Sequence, residues 1–476
     1  MKRFMNSFVA IIGIVLMTAL SCTKELADAT DLKKEKHTCT MKLVGSIVDY
    51  DVLNTKAEAN ATTWADGSVI YLKMESPLGT TNGEAVYNAV TEAWTISYYG
   101  SLYEGLSNAC TALYFDNKVS SYNSIITLDE GTIIYEDLEG SYLYNGGDLV
   151  VTANLKPKTG RIRFSGTEGS VIKVFGVTHY TTYNLATDNY TTSDSPFKIT
   201  VKSDGYTPYC YGYFTDTQEP NIKLWIDAKE AYTRYCSKDI FNAGQSGKMS
   251  IPSADSHNGW IDGLHFNYKN AKFKMVAVEG GSFIMGDPNS SDVYYTPHRV
   301  TLTGYCMGET EITQELIGDD SEDKRLPVLD SHRFSDIIER LNQKLGLSFS
   351  LPSEAQWEFA AKGGVKSKGY KYSGSNNIDD VAWHDVGLKE VKQKLPNELG
   401  IYDMSGNAIE WTRDIFGKFT TISVVDPIVT KGQDLDFFCL RGGEAIDNKE
   451  ANYTNVARCS DFRNSRYGGR LVLNWN

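Results

Sequence analysis

Hydrophobic and polar residues alternate in short runs through the first half of the chain. In the stretch TMKLVGSIVDY, Met41, Leu43 and Ile47 fall on one side of a strand. The runs SVIYLKM, LVVTANL, GRIRFSG, SVIKVFGV, FKITVKS and NIKLWIDA repeat this period, with Gly, Asn, Asp or Ser in the gaps. No helical period appears between residues 38 and 268. The pattern predicts two all-β sandwiches, over residues 38–155 and 156–268.

The period changes after residue 269, which predicts an α+β domain over residues 269–476. Residues 334–345, FSDIIERLNQKL, predict a helix with one apolar face, made of Ile337, Ile338, Leu341 and Leu345. The stretch LPSEAQWEFAAKGG predicts a second helix. Ser353 is its N-cap, Gln356 completes a capping box, and Gly363 ends it.

The length of the chain indicates how many domains it has, and its net charge limits the binding partners that it can have. With 476 residues the chain is too long for one ordinary core, so several domains are expected. Its 29 tyrosines favour β structure. A formal net charge of -13 argues against nucleic-acid binding, which needs a basic face.

The first 21 residues have the pattern of an export signal. Lys2 and Arg3 precede an apolar stretch from residue 8 to residue 20, which is too short to span a bilayer. The cysteine that follows, Cys22, gives the segment a resemblance to a bacterial lipoprotein signal, which implies lipidation of Cys22 and an outer-membrane anchor. An ordinary secretory signal is the alternative. Residues 22–37 are polar and lysine-rich, which is typical of a tether.

Seven cysteines remain beyond that point, and no two of them form a C-x-x-C pair. The odd number and the spacing argue against a zinc site. Cys210 and Cys236 are candidates for a disulfide, with free buried thiols as the alternative. The stretch GQSGKMS lacks Ser or Thr after its lysine, so it does not fit a phosphate-binding loop.

Two stretches of the β-rich half resemble fimbrillin-like (type V) pilins. TTWADGSVIYLKM is similar to the entry of such a pilin's first domain, and FNAGQSGKMSIPSADSHNGW to the close of its second. The resemblance implies transthyretin-like sandwiches whose first strand is removed by proteolysis after a basic residue, best matched here by Lys56. The groove so opened would accept a strand from another pilin subunit. An unrelated pair of exported β-sandwiches is the alternative.

The C-terminal motifs resemble the formylglycine-generating-enzyme or sulfatase-modifying-factor domain, a variant of the C-type lectin fold. LPSEAQWEFAAKGG, PNELGIYDMSGNAIEW, RGG and GGRLV occur in the family's order. The resemblance implies a calcium loop, with side-chain oxygens from Asp403 and Glu410 and backbone carbonyls from Gly406 and Ala408. Without metal, Asp403 would cap a turn and Glu410 would pair with Arg413. Trp411 is predicted to lie in the core.

The same resemblance argues against catalysis. Oxidases of this family hold copper(I) with two cysteines five positions apart; Cys459 matches the second, but Thr454 stands at the first. A different pair that uses Cys439 remains open. No histidine triad is visible for the iron-dependent relatives. The chain is therefore predicted not to be an enzyme, with a formylglycine-generating-type oxidase or sulfatase-maturing enzyme as the alternative.

Residues 444–467 are predicted to form a ligand-binding face, because this segment lines the ligand face of lectin-type folds. It is rich in asparagine and in aromatic residues, which provide hydrogen bonds and contact area. This mixture resembles the variable region of proteins diversified by retroelements; an ordinary polar loop is the alternative. The candidate ligand-binding residues are Asn448, Asn452, Tyr453, Asn455, Ser460, Asp461, Phe462, Asn464, Arg466 and Tyr467.

Together these features predict an exported surface lipoprotein that acts as a fimbrial tip adhesin. Its pilin-like half would join a fimbria, and its lectin-like half would bind a host or bacterial surface protein or glycan. A surface glycan-binding lipoprotein that joins no fibre is a further alternative.

Overall fold

A computed structural model describes most of the chain. The described residues are 36–47, 51–52, 64–116, 120–122, 125–129, 131–216, 219–252, 257, 259–318, 324–431, 437–447, 449–461 and 467–475. Several predicted site residues lie outside these ranges, namely Cys22, Lys56, Asn448, Phe462, Asn464 and Arg466.

The described residues up to 262 form strands joined by turns. The first ten are β1 (Lys36–Ile47), β2 (Asp51–Val52), β3 (Val69–Ser76), β4 (Gly79–Asn88), β5 (Ala93–Tyr99), β6 (Ser107–Phe115), β7 (Ser120–Tyr122), β8 (Ile125–Thr127), β9 (Ile134–Asn145) and β10 (Asp148–Pro157). The next ten are β11 (Gly160–Ser165), β12 (Val171–Phe175), β13 (His179–Asn184), β14 (Asn189–Ser193), β15 (Phe197–Thr200), β16 (Cys210–Gly212), β17 (Asn221–Ile226), β18 (Glu230–Tyr235), β19 (Gln245–Ser250) and β20 (Ile261–Asp262). A 3-10 helix covers Lys238–Phe241.

The remaining elements mix strands with short helices. The strands are β21 (Leu264–Tyr268), β22 (Ala271–Val278), β23 (Gly281–Met285), β24 (His298–Leu302), β25 (Tyr305–Gly308), β26 (Phe349–Ser350), β27 (Glu410–Ile415), β28 (Val424–Val425), β29 (Phe438–Arg441), β30 (Arg458–Asp461) and β31 (Val472–Asn474). The α-helices are α1 (Gln314–Ile317), α2 (Ser331–Leu345), α3 (Glu354–Ala361) and α4 (Ile378–Val381). Further 3-10 helices cover Val293–Tyr295, Gly364–Lys366 and Glu450–Tyr453.

The first compact unit holds the described residues up to 47 and those in 64–116 and 132–158. Its strands form one closed sheet in the order β1-β10-β9-β6-β3-β4-β5. Strand β1 closes the sheet, because it pairs in parallel with β10 and antiparallel with β5. The predicted alternation of β1 is confirmed, since Met41 is buried while Lys42 and Val44 are exposed.

The backbone of β1 approaches its neighbour closely at Gly45. This residue has φ +141°, and a Cβ built on it would lie 1.8 Å from the carbonyl oxygen of Ala153 on β10. No side chain fits there without movement of one strand.

The second compact unit begins with a β-rich region that has three sheets. Their strand orders are β16-β11-β19-β2, β15-β12-β17-β18-β20 and β14-β13-β8-β7. Strands β2, β7 and β8 belong here, although the alternation pattern assigned their residues to the first sandwich. Alternation shows that a segment is a strand, but it carries no information about which sheet edge the strand joins. The GQSGKMS stretch is strand β19, which agrees with the rejection of a phosphate-binding loop.

The C-terminal region of this unit has sheets in the orders β21-β22-β25-β31-β26, β23-β24-β28 and β27-β29-β30. Helix α3 begins with the predicted capping box: Ser353 Oγ accepts from Gln356 N, and the Gln356 side chain accepts from Ser353 N. Gly363 follows this helix with φ +90°. The predicted fold class, β-rich first half and α+β C-terminal region, is confirmed.

One core cluster joins the β-rich region to the C-terminal region. It contains Phe175 and Trp225 from the former and Phe334, Leu341 and Trp411 from the latter. The prediction that Trp411 lies in the core is confirmed, since its exposure is 0%. Within the described ranges, no helix is both long and apolar enough to cross a bilayer.

Candidate functional site

A cleft of about 940 Å³ opens on the C-terminal region. Most of its walls come from three regions far apart in sequence: 284–290, 367–371, and the neighbouring stretches 440–447 and 451–459. Exposed or half-buried polar groups reach it from each stretch, including Asp287, Lys371, Asp447 and Asn452. Tyr295 and Tyr370 add aromatic surface. The volume lies in the usual range for ligand-binding clefts, about 300–1,000 Å³.

The 451–459 wall is held in place by a fully buried tyrosine. The hydroxyl of Tyr453 donates to the carbonyl oxygens of Glu444, at 2.6 Å, and of Asp447. Its own carbonyl accepts from Ser405 Oγ at 2.8 Å. These bonds tie two walls of the cleft to the loop around residue 405.

Under the cleft lies a buried network of two glutamates and two arginines. Arg441 bonds Glu354 at 2.9 Å and Glu358 at 2.6 Å, and Arg458 bonds Glu354 through two nitrogens at 2.6 Å each. Burial alone would raise the pKa of Glu354, but the guanidinium groups of Arg458 and Arg441 outweigh it and lower that pKa. Because both carboxylates sit on helix α3 and both arginines on the β29–β30 ladder, the network fixes the cleft floor to the helix.

A second buried ion pair occupies the loop LGIYDMSGNAIEW. Arg470 approaches Glu410 with Nη2 2.5 Å from Oε1 and Nε 2.8 Å from Oε2. Trp357 Nε1 donates to the same Oε2 at 2.8 Å. The partner of Glu410 is therefore Arg470, and the alternative pairing with Arg413 is wrong: β27 places Glu410 and Arg413 an odd number of positions apart, on opposite faces.

The loop residues do not fit a calcium ion in this arrangement. Both oxygens of Glu410 are engaged by N–H donors, and Asp403 Oδ2 accepts from Lys392 N at 2.7 Å. Gly406 does have the positive φ expected of a tight calcium loop, +81°, and a Cβ there would lie 2.4 Å from the Trp383 carbonyl oxygen. In the described part of the chain, no cluster of three or more His, Cys, Asp or Glu is arranged to hold a metal. Calcium binding through Asp403, Gly406, Ala408 and Glu410 stays a prediction that the geometry does not support.

A third carboxyl group, that of Glu311, is buried against the loop LGIYDMSGNAIEW. Glu311 is 2% exposed; one of its oxygens accepts from Asn407 Nδ2 at 3.1 Å, and its carboxyl group shares a hydrogen bond with the side chain of Asp403. Burial and the carboxylate of Asp403 raise the pKa of Glu311 well above its ordinary value, although Arg470 opposes them. Arg470 is thus the buried positive charge in a group of three carboxyls.

Comparison with known proteins places this region in a family. The model of the sulfatase-modifying factor enzyme 1-like domain matches residues 325–475. Chaperone protein LppX of Paenibacillus barcinonensis is 30% identical, over 29% of this chain and 70% of that protein. The chain belongs to the sulfatase-modifying factor enzyme 1-like family.

Other relatives of the sulfatase-modifying-factor domain match less of their own length. The inactive C-alpha-formylglycine-generating enzyme 2 of Bos taurus is 29% identical, over 23% of this chain and 36% of that protein, so the chain spans about a third of it. Among solved structures, Treponema denticola variable protein 1 is 23% identical, covers 44% of this chain and 98% of its own, and has a TM-score of 0.40. A fimbrial protein of Bacteroides ovatus is 11% identical, covers 93% of this chain and 100% of its own, and has a TM-score of 0.27.

Among the described residues of the cleft wall, Cys459 is the only cysteine, and Thr454 lies in the same wall. Loss of hydration raises the pKa of the Cys459 thiol to about 11, and the negative charges of Asp461 and Glu444 act in the same direction against Arg441. Cys439 cannot complete a pair with Cys459. In the β29–β30 ladder Cys459 stands opposite Leu440, so Cys439, one position away, faces the other side of the sheet and is fully buried.

The predicted ligand-binding residues divide between surface and interior. Asn452 and Tyr467 line the cleft, and Asn455 lines it although only 4% of it is exposed. Ser460 is exposed but is not part of the cleft wall, and Asp461 accepts from Tyr467 Oη at 2.9 Å. Tyr453 is 0% exposed, so the prediction that it contacts a ligand is corrected: it positions the segment.

Sequence reasoning missed the walls that precede the 444–467 segment. Residues 284–290 and 367–371 bring Asp287, Tyr370 and Lys371 to the cleft. The turn-rich stretches GDPNS and SKGYK mark exposed loops in the sequence. Nothing local to these stretches shows that they meet the distant residues of the 440–459 region.

Proposed function

We propose that this chain is a cell-surface adhesin associated with a pilus, in which the sulfatase-modifying-factor domain recognises a ligand and performs no chemistry. The single observation that carries the non-catalytic part is the cleft wall with Thr454 and Cys459. A copper(I) thiolate pair needs two sulfurs, and the described cleft wall offers one. The raised pKa of Cys459 also keeps that thiol protonated at neutral pH.

The composition of the cleft supports a recognition role. Asn452 and Lys371 are exposed, and Tyr370 and Tyr467 are half-buried at the wall, so hydrogen-bonding groups and rigid aromatic area alternate around the opening. The buried arginine–glutamate network beneath it holds the wall without using these groups. A surface protein or glycan of the host or of another bacterium is the ligand we propose, and variation of residues 444–467 between isolates would mark a retroelement-diversified receptor.

The pilus association rests on strand β1. It is the strand that closes the first unit's sheet, and its removal would leave the edges of β5 and β10 unpaired. We propose that export through a lipid anchor at Cys22 is followed by a cut at Lys56, and that a strand from another pilin subunit then takes the place of β1.

A copper titration tests whether the sulfatase-modifying-factor domain lacks oxidase activity. We expect that the purified chain neither binds copper(I) tightly nor consumes oxygen with a cysteine peptide, and that the Thr454→Cys variant gains a copper(I) site. Oxygen consumption by the unmodified chain would contradict the proposal and favour the oxidase alternative. Thr421→Cys, at an exposed position outside the cleft, controls for a cysteine added elsewhere.

Recovery of pilin subunits tests the pilus association separately. We expect the chain to co-purify with pilin subunits, and Lys56→Ala to abolish this recovery while Lys202→Ala, at an exposed lysine, leaves it unchanged. Equal recovery with Lys56→Ala contradicts the processing step. No recovery with any variant, together with glycan binding, favours the lipoprotein that joins no fibre.

Cleft variants test where the ligand binds. Binding of the chain to glycan arrays and to host-cell surfaces is expected to fall with Asn452→Ala and to persist with Asn189→Ala, an exposed asparagine on β14. Equal binding by both variants would place recognition outside the cleft.

A further inference from the structure

One face of the sheet β16-β11-β19-β2 carries a row in which basic side chains alternate with tyrosine rings. This basic row consists, in order, of Lys248, Tyr206, Arg163, Tyr209 and Arg161. Lys248 Nζ lies 4.1 Å from the centre of the Tyr206 ring, and Arg163 Cζ lies 4.4 Å from it. Arg163 Cζ also lies 5.0 Å from the centre of the Tyr209 ring, and Arg161 Cζ lies 4.2 Å from that centre. Attraction between a cation and an aromatic ring acts within about 6 Å, so the rings hold three positive charges in one row.

The strand register explains why these charges meet. Arg161 and Arg163 are two positions apart on β11, so they share a face of the sheet, about 7 Å apart. Lys248 stands opposite Arg163 in the parallel ladder with β19, at a strand spacing of about 5 Å. The other positions of this face on the two strands are Ser165, Ser246 and Ser250. On this face, β11 and β19 therefore present positive charge and hydroxyl groups, and their paired positions include no carboxylate.

Two of the three basic groups have hydrogen-bonding atoms that a ligand can reach. Lys248 is exposed, and its ammonium group gives one of its three protons to Tyr206 Oη. Arg163 is half-buried: its Nε is shielded from solvent, whereas its two Nη atoms are neither shielded nor hydrogen-bonded to any described residue. Arg161 is more engaged, because its Nε donates to Ser246 Oγ at 2.6 Å. The atoms available to a ligand are therefore the Nη atoms of Arg163 and the Nζ atom of Lys248.

Carboxylates near the row in the sequence do not neutralise these two cations. Asp204 accepts from Tyr206 N at 3.0 Å, and Glu168 is exposed after the end of β11. Throughout the part of the chain that the structure describes, neither of these carboxylates, nor any other, forms a salt bridge with Arg163 or Lys248. A ligand that brings its own negative charge would supply the missing partners.

The chemistry of the row fits the acidic groups of a polysaccharide. A guanidinium with both Nη atoms free can bind a carboxylate or a sulfate through two parallel hydrogen bonds. Ser250, which is exposed on the same strand as Lys248, and the half-buried Tyr209 add hydroxyl groups that suit the neutral hydroxyls of a sugar. Three charges form only a short row on a chain of net charge -13, so a wide anionic surface such as a membrane or a DNA duplex would meet repulsion around it.

We propose that the basic row binds an acidic polysaccharide, with anionic groups at Arg163 and Lys248 and sugar hydroxyls at Tyr209 and Ser250. The site goes beyond the proposed recognition cleft, because none of its residues lines that cleft. Binding of an acidic polysaccharide to the row and recognition in the cleft can therefore succeed or fail separately.

Surface plasmon resonance with immobilised chondroitin sulfate tests the proposal, with dextran as a neutral polysaccharide. We expect the purified chain to bind chondroitin sulfate saturably, to bind less as sodium chloride screens the charges, and not to bind dextran. Arg163→Gln should weaken binding by about ten- to a hundredfold, the usual loss for charge-assisted hydrogen bonds. Arg299→Gln, at an exposed arginine on β24, should leave binding unchanged.

A change of charge beside the row separates ligand binding from packing within the row. Ser250→Glu adds a carboxylate on the same face and keeps all five stacked residues, so we expect binding of chondroitin sulfate to be lost. Thr200→Glu makes the same change in net charge at an exposed position on β15 and should have no effect. The thermal midpoints of Arg163→Gln and Ser250→Glu should stay near that of the unmodified chain.

Three results would overturn the proposal. The first is the absence of saturable binding to chondroitin sulfate, or equal binding to dextran. The second is an unchanged affinity in Arg163→Gln or Ser250→Glu. The third is tighter binding to phosphatidylglycerol vesicles or to a DNA duplex than to chondroitin sulfate, which would make a membrane or a nucleic acid the occupant of the row.

Discussion

Arg470 and Glu410 form a doubly hydrogen-bonded ion pair in which neither side chain is exposed to solvent. The arginine comes from the last strand region and the glutamate from the loop 60 positions earlier. Glu311 and Asp403 lie near enough to Glu410 to influence one another's ionisation. Arg470 is therefore the charge that allows this loop to fold over buried carboxyls.

Removal of Arg470 should strongly destabilise the sulfatase-modifying-factor domain. Arg470→Met leaves Glu410 buried without a counter-charge, and we expect a loss of about 3–5 kcal/mol in unfolding free energy, measured by urea denaturation. The double variant Arg470→Met, Glu410→Gln should recover part of this loss. Arg325→Met, which breaks the half-exposed pair with Glu390, should change stability by less than about 1 kcal/mol.

Removal of calcium should have no effect on stability. Because Arg470 neutralises Glu410, a calcium chelator is expected to leave the thermal unfolding midpoint of the chain unchanged. The measurement is differential scanning fluorimetry with and without the chelator and with added Ca²⁺. A calcium-dependent rise in the midpoint that disappears in Asp403→Asn would restore the calcium loop.

Asp414 should make stability fall as the pH rises. Burial, followed by the negative charge of Glu354, raises the pKa of Asp414 from 3.8 to about 6. Since the folded state binds this proton more tightly than the unfolded state, the stabilisation is complete below pH 3.8 and is lost as the pH rises through about 6. The shift corresponds to about 3 kcal/mol at most.

The difference in unfolding free energy between the chain and Asp414→Asn isolates this effect from the other carboxyls. It should decline between about pH 4 and pH 6 in urea titrations. Asp336→Asn, at an exposed aspartate on α2, should show no such trend. A difference that stays flat across that range would mean that Asp414 titrates alike in both states.

A methyl group at Gly45 should loosen strand β1. Gly45→Ala brings a Cβ into the carbonyl oxygen of Ala153, and the strain at φ +141° adds to the clash. We expect a cost of about 1–3 kcal/mol and faster hydrogen exchange at the amides of residues 41–47. Val44→Ala, at an exposed neighbour, is the control, and equal exchange in the two variants would contradict the close packing of β1.

The Cys459 thiol should be slow to alkylate at neutral pH. With a pKa of about 11, its thiolate fraction and its rate of reaction with iodoacetamide should rise about tenfold for each pH unit between 7 and 10. Peptide mass spectrometry measures the rate, and Cys459→Ser identifies the labelled site. Fast labelling at pH 7 would indicate an activated thiol and would reopen the question of catalysis.

Local sequence signals predicted the features that depend on neighbours along the chain. The alternation around Met41 indicates a strand with one buried side, because successive side chains point to opposite faces. Ser353 and Gln356 indicate the start of a helix, because the two residues that hydrogen-bond to each other are only three positions apart. The motifs LPSEAQWEFAAKGG and LGIYDMSGNAIEW indicated the family for the same reason: each is continuous in sequence.

Tertiary structure alone decided which distant groups meet. The sequence motif suggested a calcium ion for Glu410, or Arg413 as its partner without metal. The structure pairs Glu410 with Arg470, and strand β27 places Arg413 on the opposite face. The register of β29 and β30 separates Cys439 from Cys459 across the sheet. Strands β2, β7 and β8 join sheets of the second unit, because an unpaired edge accepts any strand that reaches it and a hydrophobic period does not encode its partner.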